Sequence, residues 1–147
     1  MNETPCPFCT IDVQRIFHSG ELVVAVWDAY PVSPGHALLL TKRHISSWFE
    51  STAEERAELG ETTMIAREAI LKRTASEHLP TPDGFNIGVN VGQSAGQTVF
   101  HLHVHVIPRW SGDVADPRGG VRHVIPNKAN YFGLAASVGL ACDDPQS

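Results

Sequence analysis

The chain has 147 residues, 42% of them hydrophobic and 18% charged, which is enough for one domain with its own core. A formal net charge of −5 and a pI near 5.8 argue against the basic surface that nucleic-acid and anionic-membrane binders usually present, so neither partner is expected. No apolar run approaches the length of a membrane span.

Met1-Asn2-Glu3-Thr4-Pro5 has no basic stretch followed by an apolar one, so no signal peptide is expected and the default compartment is the cytoplasm. Three cysteines make no disulfide framework. The spacing Cys6-Pro7-Phe8-Cys9 fits a redox motif, a zinc half-site or a tight turn. Redox is the weakest of the three, because no strand precedes it, and a zinc site would need two ligands from elsewhere.

Within Phe17 to Asp28, Glu21-Leu22-Val23-Val24-Ala25-Val26-Trp27 reads as a buried strand. Tyr30-Pro31-Val32-Ser33-Pro34-Gly35 is dense in turn formers and leads into a second strand over His36–Thr41. Ser51 to Glu54, or equally Thr52 to Glu55, fits a capping box. A helix to about His78 follows, with Leu59, Thr63, Ala66 and Ile70 roughly on one face. Its charged residues, Glu54, Glu55, Arg56 and Glu58 among them, are assigned mostly to the solvated side. Leu79-Pro80-Thr81-Pro82-Asp83-Gly84 stops the helix. Phe85–Val91 alternates as a strand, and Gly92-Gln93-Ser94-Ala95-Gly96-Gln97 is a small-residue loop.

A further strand is predicted from Thr98 or Val99 to Ile107, antiparallel to the one before. It carries His101, His103 and His105 at period two. Leu102, Val104 and Val106 should face the core, and the three imidazoles the other side. Neighbouring imidazoles would stand about 6.5–7 Å apart, which suits an extended anionic ligand along the row. The outer pair, about 13 Å apart, is badly placed for all three to share one metal. A neutral imidazole is a competent nucleophile toward phosphorus, and a second can steady the phosphate or the leaving group. The Gly92–Gln97 loop offers backbone N–H groups to a phosphate. Beyond Arg109 periodicity is lost; Val121–Pro126 is predicted as a short extended piece, and Tyr131-Phe132 as a docking segment.

His101-Leu102-His103-Val104-His105-Val106-Ile107, preceded by Ala95-Gly96-Gln97-Thr98-Val99, resembles the signature of the histidine-triad (HIT) family of nucleotide hydrolases and transferases. Asp28-Ala29-Tyr30-Pro31-Val32-Ser33-Pro34-Gly35-His36 and Lys42-Arg43-His44-Ile45 are similar to two further blocks of that family. The resemblance covers roughly Cys6 to Arg109. It implies His103 as the nucleophile that takes a nucleotidyl group, and His105 as the residue at the phosphate and leaving group. It implies nucleotide contacts at Asp28 (to the ribose), Ala29, Asn90, Gly96, Gln97 and Thr98. Phe8, Ile11, Val26 and Trp27 fall where the family lines its base pocket, although each could equally be a plain core residue. His36 is implied to be supportive.

Members with this cysteine pair resemble those holding a structural zinc, here on Cys6, Cys9, His44 and His101, with no organic cofactor implied. Two cysteines and two histidines make a closed set. His18, His78 and His123 are expected at the surface, with Cys142 a bystander. Asp116–Arg122 resembles tails of bacterial diadenosine polyphosphate hydrolases; Arg118 and Arg122 there either meet a polyphosphate or are solvated.

The fold expected is a single α+β HIT-like domain over 1–147. It would have a mostly antiparallel sheet with a long helix packed on it, a core at about 6–109 and an irregular extension over 110–147. The function expected is cleavage of a nucleoside α-phosphate bond, in a dinucleoside polyphosphate or alternatively a nucleoside phosphoramidate. A nucleotide-sensing module with little turnover is the reading from another class. The resemblance also implies a homodimer.

Overall fold

A computed structural model of the chain describes residues 5–130. Tyr131, Phe132 and Cys142 lie outside the described residues. The chain divides into two compact units, Met1–Asp116 and Pro117–Ser147. The first holds five strands and a helix: β1 (Ile16–Ser19), β2 (Val23–Trp27), β3 (Ala37–Thr41), α1 (Ala53–Ser76), β4 (Gly84–Gly88) and β5 (His103–Arg109). The sheet order is β1-β2-β3-β5-β4, with every neighbouring pair antiparallel.

β1 and β2 form a hairpin that the sequence shows only as one apolar run. The Glu58 carboxylate of α1 accepts from Leu22 N and Val23 N at 3.0 Å, fixing the turn to the helix. Glu58 is therefore half-buried rather than fully solvated. Between β2 and β3 the proline-rich loop closes through Asp28 N to His36 O at 3.0 Å and His36 N to Ser33 O at 3.1 Å. Gly35 makes that closure possible. Its φ is +85°, and a Cβ there would lie 3.2 Å from Cγ2 of Ile70 on α1.

The capping box of α1 is the Thr52–Glu55 frame. Glu55 N donates to Thr52 Oγ1 at 3.0 Å, and Thr52 N to Glu55 Oε2 at 2.8 Å. The helix buries Glu55, Leu59, Thr62, Ala66, Ile70 and Thr74, so Thr62 takes the place expected for Thr63. Thr62 and Thr74 bury their hydroxyls at no polar cost by donating to the carbonyls of Glu58 at 2.6 Å and Ile70 at 3.0 Å. Glu55, expected in solvent, is 3% exposed. The Arg43 guanidinium grips it at 2.9 and 3.0 Å and holds its carboxyl below the ordinary range.

β5 begins at His103, later than expected. β3 ends at Thr41, and the Thr41 carbonyl is taken by the side chain of His101 at 2.7 Å, so the ladder stops where Leu40 meets His103. β4 likewise ends at Gly88, opposite His105, and leaves Val89 to Val91 outside the ladder. In the second unit the segment predicted to be extended is a 3-10 helix, Gly120–Val124. Gly119 and Gly120 enter it at φ +96° and +48°, and Arg122 N donates to Gly119 O at 2.9 Å.

Candidate active site

The site lies on the sheet face turned away from α1. Alternation puts Val23, Ala25, Ala37, Leu39, Val104 and Val106 in one cluster with Leu59, Ala66 and Ile70 of the helix. Leu102 joins them, as the period-two reading expected. Val26, Leu38 and Leu40 form the floor of the opposite face. Since β3 pairs Leu40 with His103 and Leu38 with His105, both imidazoles rise from that floor.

The N-terminal segment lies over this face, where Phe8 and Ile11 pack against the floor with Ile16 and Val24. They border a hollow of about 330 Å³ lined also by Cys9, Ser19, Thr41 and Lys42. Of the four residues implied for a base pocket, Phe8, Ile11 and Val26 are therefore brought together. Trp27 is not. It belongs to the helix-side cluster, stacked on Phe17 with ring centroids 4.2 Å apart and capped by the Arg73 guanidinium at 4.4 Å. Ile16, Ser19, Val24 and Lys42 were missed as lining residues. Their signal is the β1–β2 register, which sets Ile16 opposite Val26.

His103 is 7% exposed. Its Nδ1 lies 2.8 Å from the carbonyl oxygen of His101, an atom that can only accept. The proton therefore sits on Nδ1, and Nε2 keeps its lone pair. The Phe8 ring meets His103 edge-on at 5.0 Å, and the His105 ring does so at 5.1 Å from the other side. His105 Nδ1 lies 3.0 Å from His36 Nε2, which is itself 3.4 Å from Asp28 Oδ2. Burial, then the neighbouring His103 and His36, pushes His105 down to about 4. Burial also lowers His36, against the pull of Asp28. The other oxygen of Asp28 accepts from Tyr30 N at 2.8 Å.

The loop after β4 is braced from within. Gln97, 4% exposed, accepts from Gly92 N at 2.8 Å and donates to Ser46 O at 2.8 Å and Val99 O at 3.2 Å. Its side chain thus holds the loop, while Gly96, at φ +90°, and Thr98 are exposed on it. Asn90 is half-buried just beyond β4, and Ala29 is exposed after β2. Arg122 donates to Ala129 O and Lys128 O at 3.0 Å, so it organises its own loop.

At the far end of the histidine row, the ligand atoms of Cys6, Cys9, His44 and His101 all lie within 4.8 Å of one another. Cys9 Sγ is 3.1 Å from His44 Nδ1 and 3.6 Å from His101 Nδ1, and Cys6 Sγ is 3.7 Å from His101 Nδ1. Tetrahedral zinc, with bonds of about 2.3 Å to sulfur and 2.0–2.1 Å to nitrogen, requires S···N edges of about 3.6 Å. The bond to Thr41 O fixes the His101 proton on Nε2 and frees Nδ1 toward the thiols, as an outer partner of a metal-bound histidine does. The donor set fits zinc.

Fold and site together describe an α+β module with a row of histidines on one sheet face. Residues 11–112 match the family model described as HIT domain, and the chain belongs to the HIT family. It is 43% identical over 95 residues to an AP-4-A phosphorylase of Mycobacterium tuberculosis, covering 64% of this chain and 46% of that one. The chain thus spans about half the length of that relative. It is 36% identical over 112 residues to a HIT-like protein of Saccharolobus solfataricus, covering 74% of this chain and 76% of the other. Among solved structures, a zinc-bound histidine triad family protein from Mycobacterium smegmatis is 33% identical with a TM-score of 0.55, covering 69% of each chain.

Proposed function

We propose that this chain cleaves the α-phosphate bond of a dinucleoside polyphosphate through a nucleotidyl-histidine intermediate on His103. The observation that carries the reading is the fixed His103 tautomer. Its Nδ1–H is spent on the His101 carbonyl, which leaves Nε2 as the nitrogen whose lone pair can reach phosphorus. His103 Nε2 attacks phosphorus, the remainder of the polyphosphate departs, and His105 offers a hydrogen bond to the phosphoryl oxygens. Water or a second acceptor then takes the nucleotidyl group from His103. Inorganic phosphate stands beside water as a candidate acceptor, a reading supported by the 43% identity to a relative named AP-4-A phosphorylase.

The hollow bordered by Phe8, Ile11 and Ile16 is assigned to the base, Asp28 to the ribose, and the exposed backbone around Gly96 and Thr98, with Asn90 and Ala29, to nucleotide contacts. Zinc bound by Cys6, Cys9, His44 and His101 would tie the N-terminal segment to the start of the histidine row; its four protein ligands make a structural site. Further parts of the reading are a homodimer using the edge strand β4, a cytoplasmic location and no nucleic-acid partner, with the acidic charge of −5 supporting the last. No helix among the described residues is long and apolar enough to cross a membrane.

The test is turnover of diadenosine tetraphosphate and an adenosine phosphoramidate, with and without phosphate, by wild type and His103→Ala. The expected result is cleavage of the tetraphosphate, reduced about 10⁴-fold or more in the variant. Preference for the phosphoramidate would replace the substrate class. Full activity of His103→Ala would remove the nucleophile. Tight nucleotide binding without any turnover would instead favour a sensing module.

A further inference from the structure

We propose that His36 is a positioning residue that fixes which nitrogen of His105 carries the proton, holding His105 as a donor through Nε2. This rests on the reading of His103 and His105 as the reacting pair and adds the group that sets the second ring.

His36 immediately precedes β3 and is 3% exposed. A neutral imidazole has one N–H and one lone pair. The backbone N–H of Val32 donates to His36 Nδ1 at 3.2 Å, so the lone pair is there and the proton is on Nε2. The nearer acceptor for that Nε2–H is His105 Nδ1 at 3.0 Å, with the Asp28 carboxylate at 3.4 Å to polarise the bond. His105 Nδ1 therefore accepts, and the His105 proton resides on Nε2. Among the described residues no buried side-chain nitrogen or oxygen lacks a partner. His105 Nε2 has no partner among the described residues, so it opens onto the face it shares with the His103 ring, 5.1 Å away.

The same three side chains have ligand atoms close enough for a metal ion. The Val32 hydrogen bond excludes that use of the resting site. A metal on His36 Nε2 would displace its proton while Nδ1 still accepts from Val32, leaving an imidazolate. A proton, then, joins His36 to His105. The titratable groups facing His105 are His103 on its own strand, His36 just before β3 and Asp28 just after β2; α1 lies across the sheet. Burial holds His105 uncharged near neutral pH, so it meets the substrate as a hydrogen-bond donor of fixed direction.

The test uses the full chain with nitrogen-labelled histidine. Long-range proton–nitrogen correlation near pH 7.5 reads each ring's tautomer, and steady-state kinetics on diadenosine tetraphosphate run alongside. Wild type should show His105 with a bare Nδ1 and a protonated Nε2. In His36→Phe the His105 ring should become a tautomer mixture, and kcat should fall about 10- to 100-fold with KM within about twofold. His36→Gln keeps an N–H near the original Nε2. It should retain the tautomer and restore kcat to within about threefold of wild type.

A wild-type His105 protonated on Nδ1 would overturn the proposal. So would an unchanged His105 tautomer in His36→Phe, or equal losses in the Phe and Gln variants. If His36→Phe does not fold, Val32→Pro decides. Val32 is 72% exposed, and the substitution removes the N–H that orients His36 while leaving the His36 side chain in place. A mixed His105 tautomer there supports the proposal, and an unchanged one overturns it. The tautomers are read in the resting protein, so a wild type inactive on nucleotides would sink the proposed function while the nitrogen spectra still judged this one.

Discussion

Cys6, Cys9, His44 and His101 on one side of His103, and Asp28, His36 and His105 on the other, each bring their ligand atoms within 4.8 Å of one another. The two clusters are held in opposite ways. In the first, the one buried ring has its proton drawn away to Thr41 O, and its lone pair turned toward two thiols. In the second, lone pair and proton already face each other between His36 and His105. Distance alone does not separate a metal site from a proton chain. The hydrogen bonds at the back of each ring do, because they decide which nitrogen is free.

The largest effect that could break this contrast is at the metal end. Cys6→Ala should abolish stoichiometric zinc and lower the unfolding free energy by about 3 kcal/mol or more, since a structural metal's binding energy is folding energy. His36→Phe should leave metal content unchanged. Elemental analysis and chemical denaturation of both variants give the answer. Zinc retained in Cys6→Ala, or lost in His36→Phe, would erase the distinction between the clusters.

A smaller effect comes from the proton chain. His105 is depressed to about 4 in the folded protein, against an ordinary value near 6.5. The unfolded chain therefore binds more protons between those values, and stability contributed by neutral His105 is present above pH 6.5 and lost as pH falls toward 4. One proton sets a ceiling of about 1.4 kcal/mol per pH unit, and the partial exposure of the ring brings the slope below it. His36 adds in the same direction. Thermal unfolding of Cys6→Ala between pH 4 and 7, with and without His105→Gln, removes zinc from the measurement. The expected outcome is a shallower pH dependence in the double variant; equal slopes would remove the buried neutral histidine from the account.

The face on which the histidines stand was legible because period two reaches from Leu102 to Val106 and needs no partner strand. Where β5 begins was not, because the His101 side chain takes the Thr41 carbonyl, 60 positions away in the chain. The same blindness put Glu55 in solvent. Its burial depends on Arg43, which precedes the helix and reaches back to the cap. The metal set came from resemblance to a family, as spacing alone left a turn, a redox pair and a half-site open at Cys6 and Cys9. His36 was placed near the site, but its bond to His105 depends on how the Pro31–Pro34 turn folds. Trp27 is a different matter. Val26 and Trp27 are consecutive in a strand, so period two already assigns them to opposite faces, and one pocket could not hold both.

That parity gives the finest of the tests. Phe8 and Trp27 are both large rings beside the sheet, one over the floor of Val26, Leu38 and Leu40 and the other under α1. Phe8→Leu removes the edge that meets His103 at 5.0 Å and one wall of the hollow. Its expected consequence is a rise in KM for an adenine nucleotide of about five- to tenfold, matching the roughly 1 kcal/mol of an aromatic contact. Cys6 and Cys9 remain, so zinc should stay bound. Trp27→Leu should leave KM alone and lower stability by about 1–2 kcal/mol through the lost contacts with Phe17 and Arg73. If the KM change followed Trp27 instead, the base would belong on the helix side of the sheet. His103 and His105 would then be reaching a phosphate whose nucleoside lay across the strands from them, which no single bound nucleotide could satisfy.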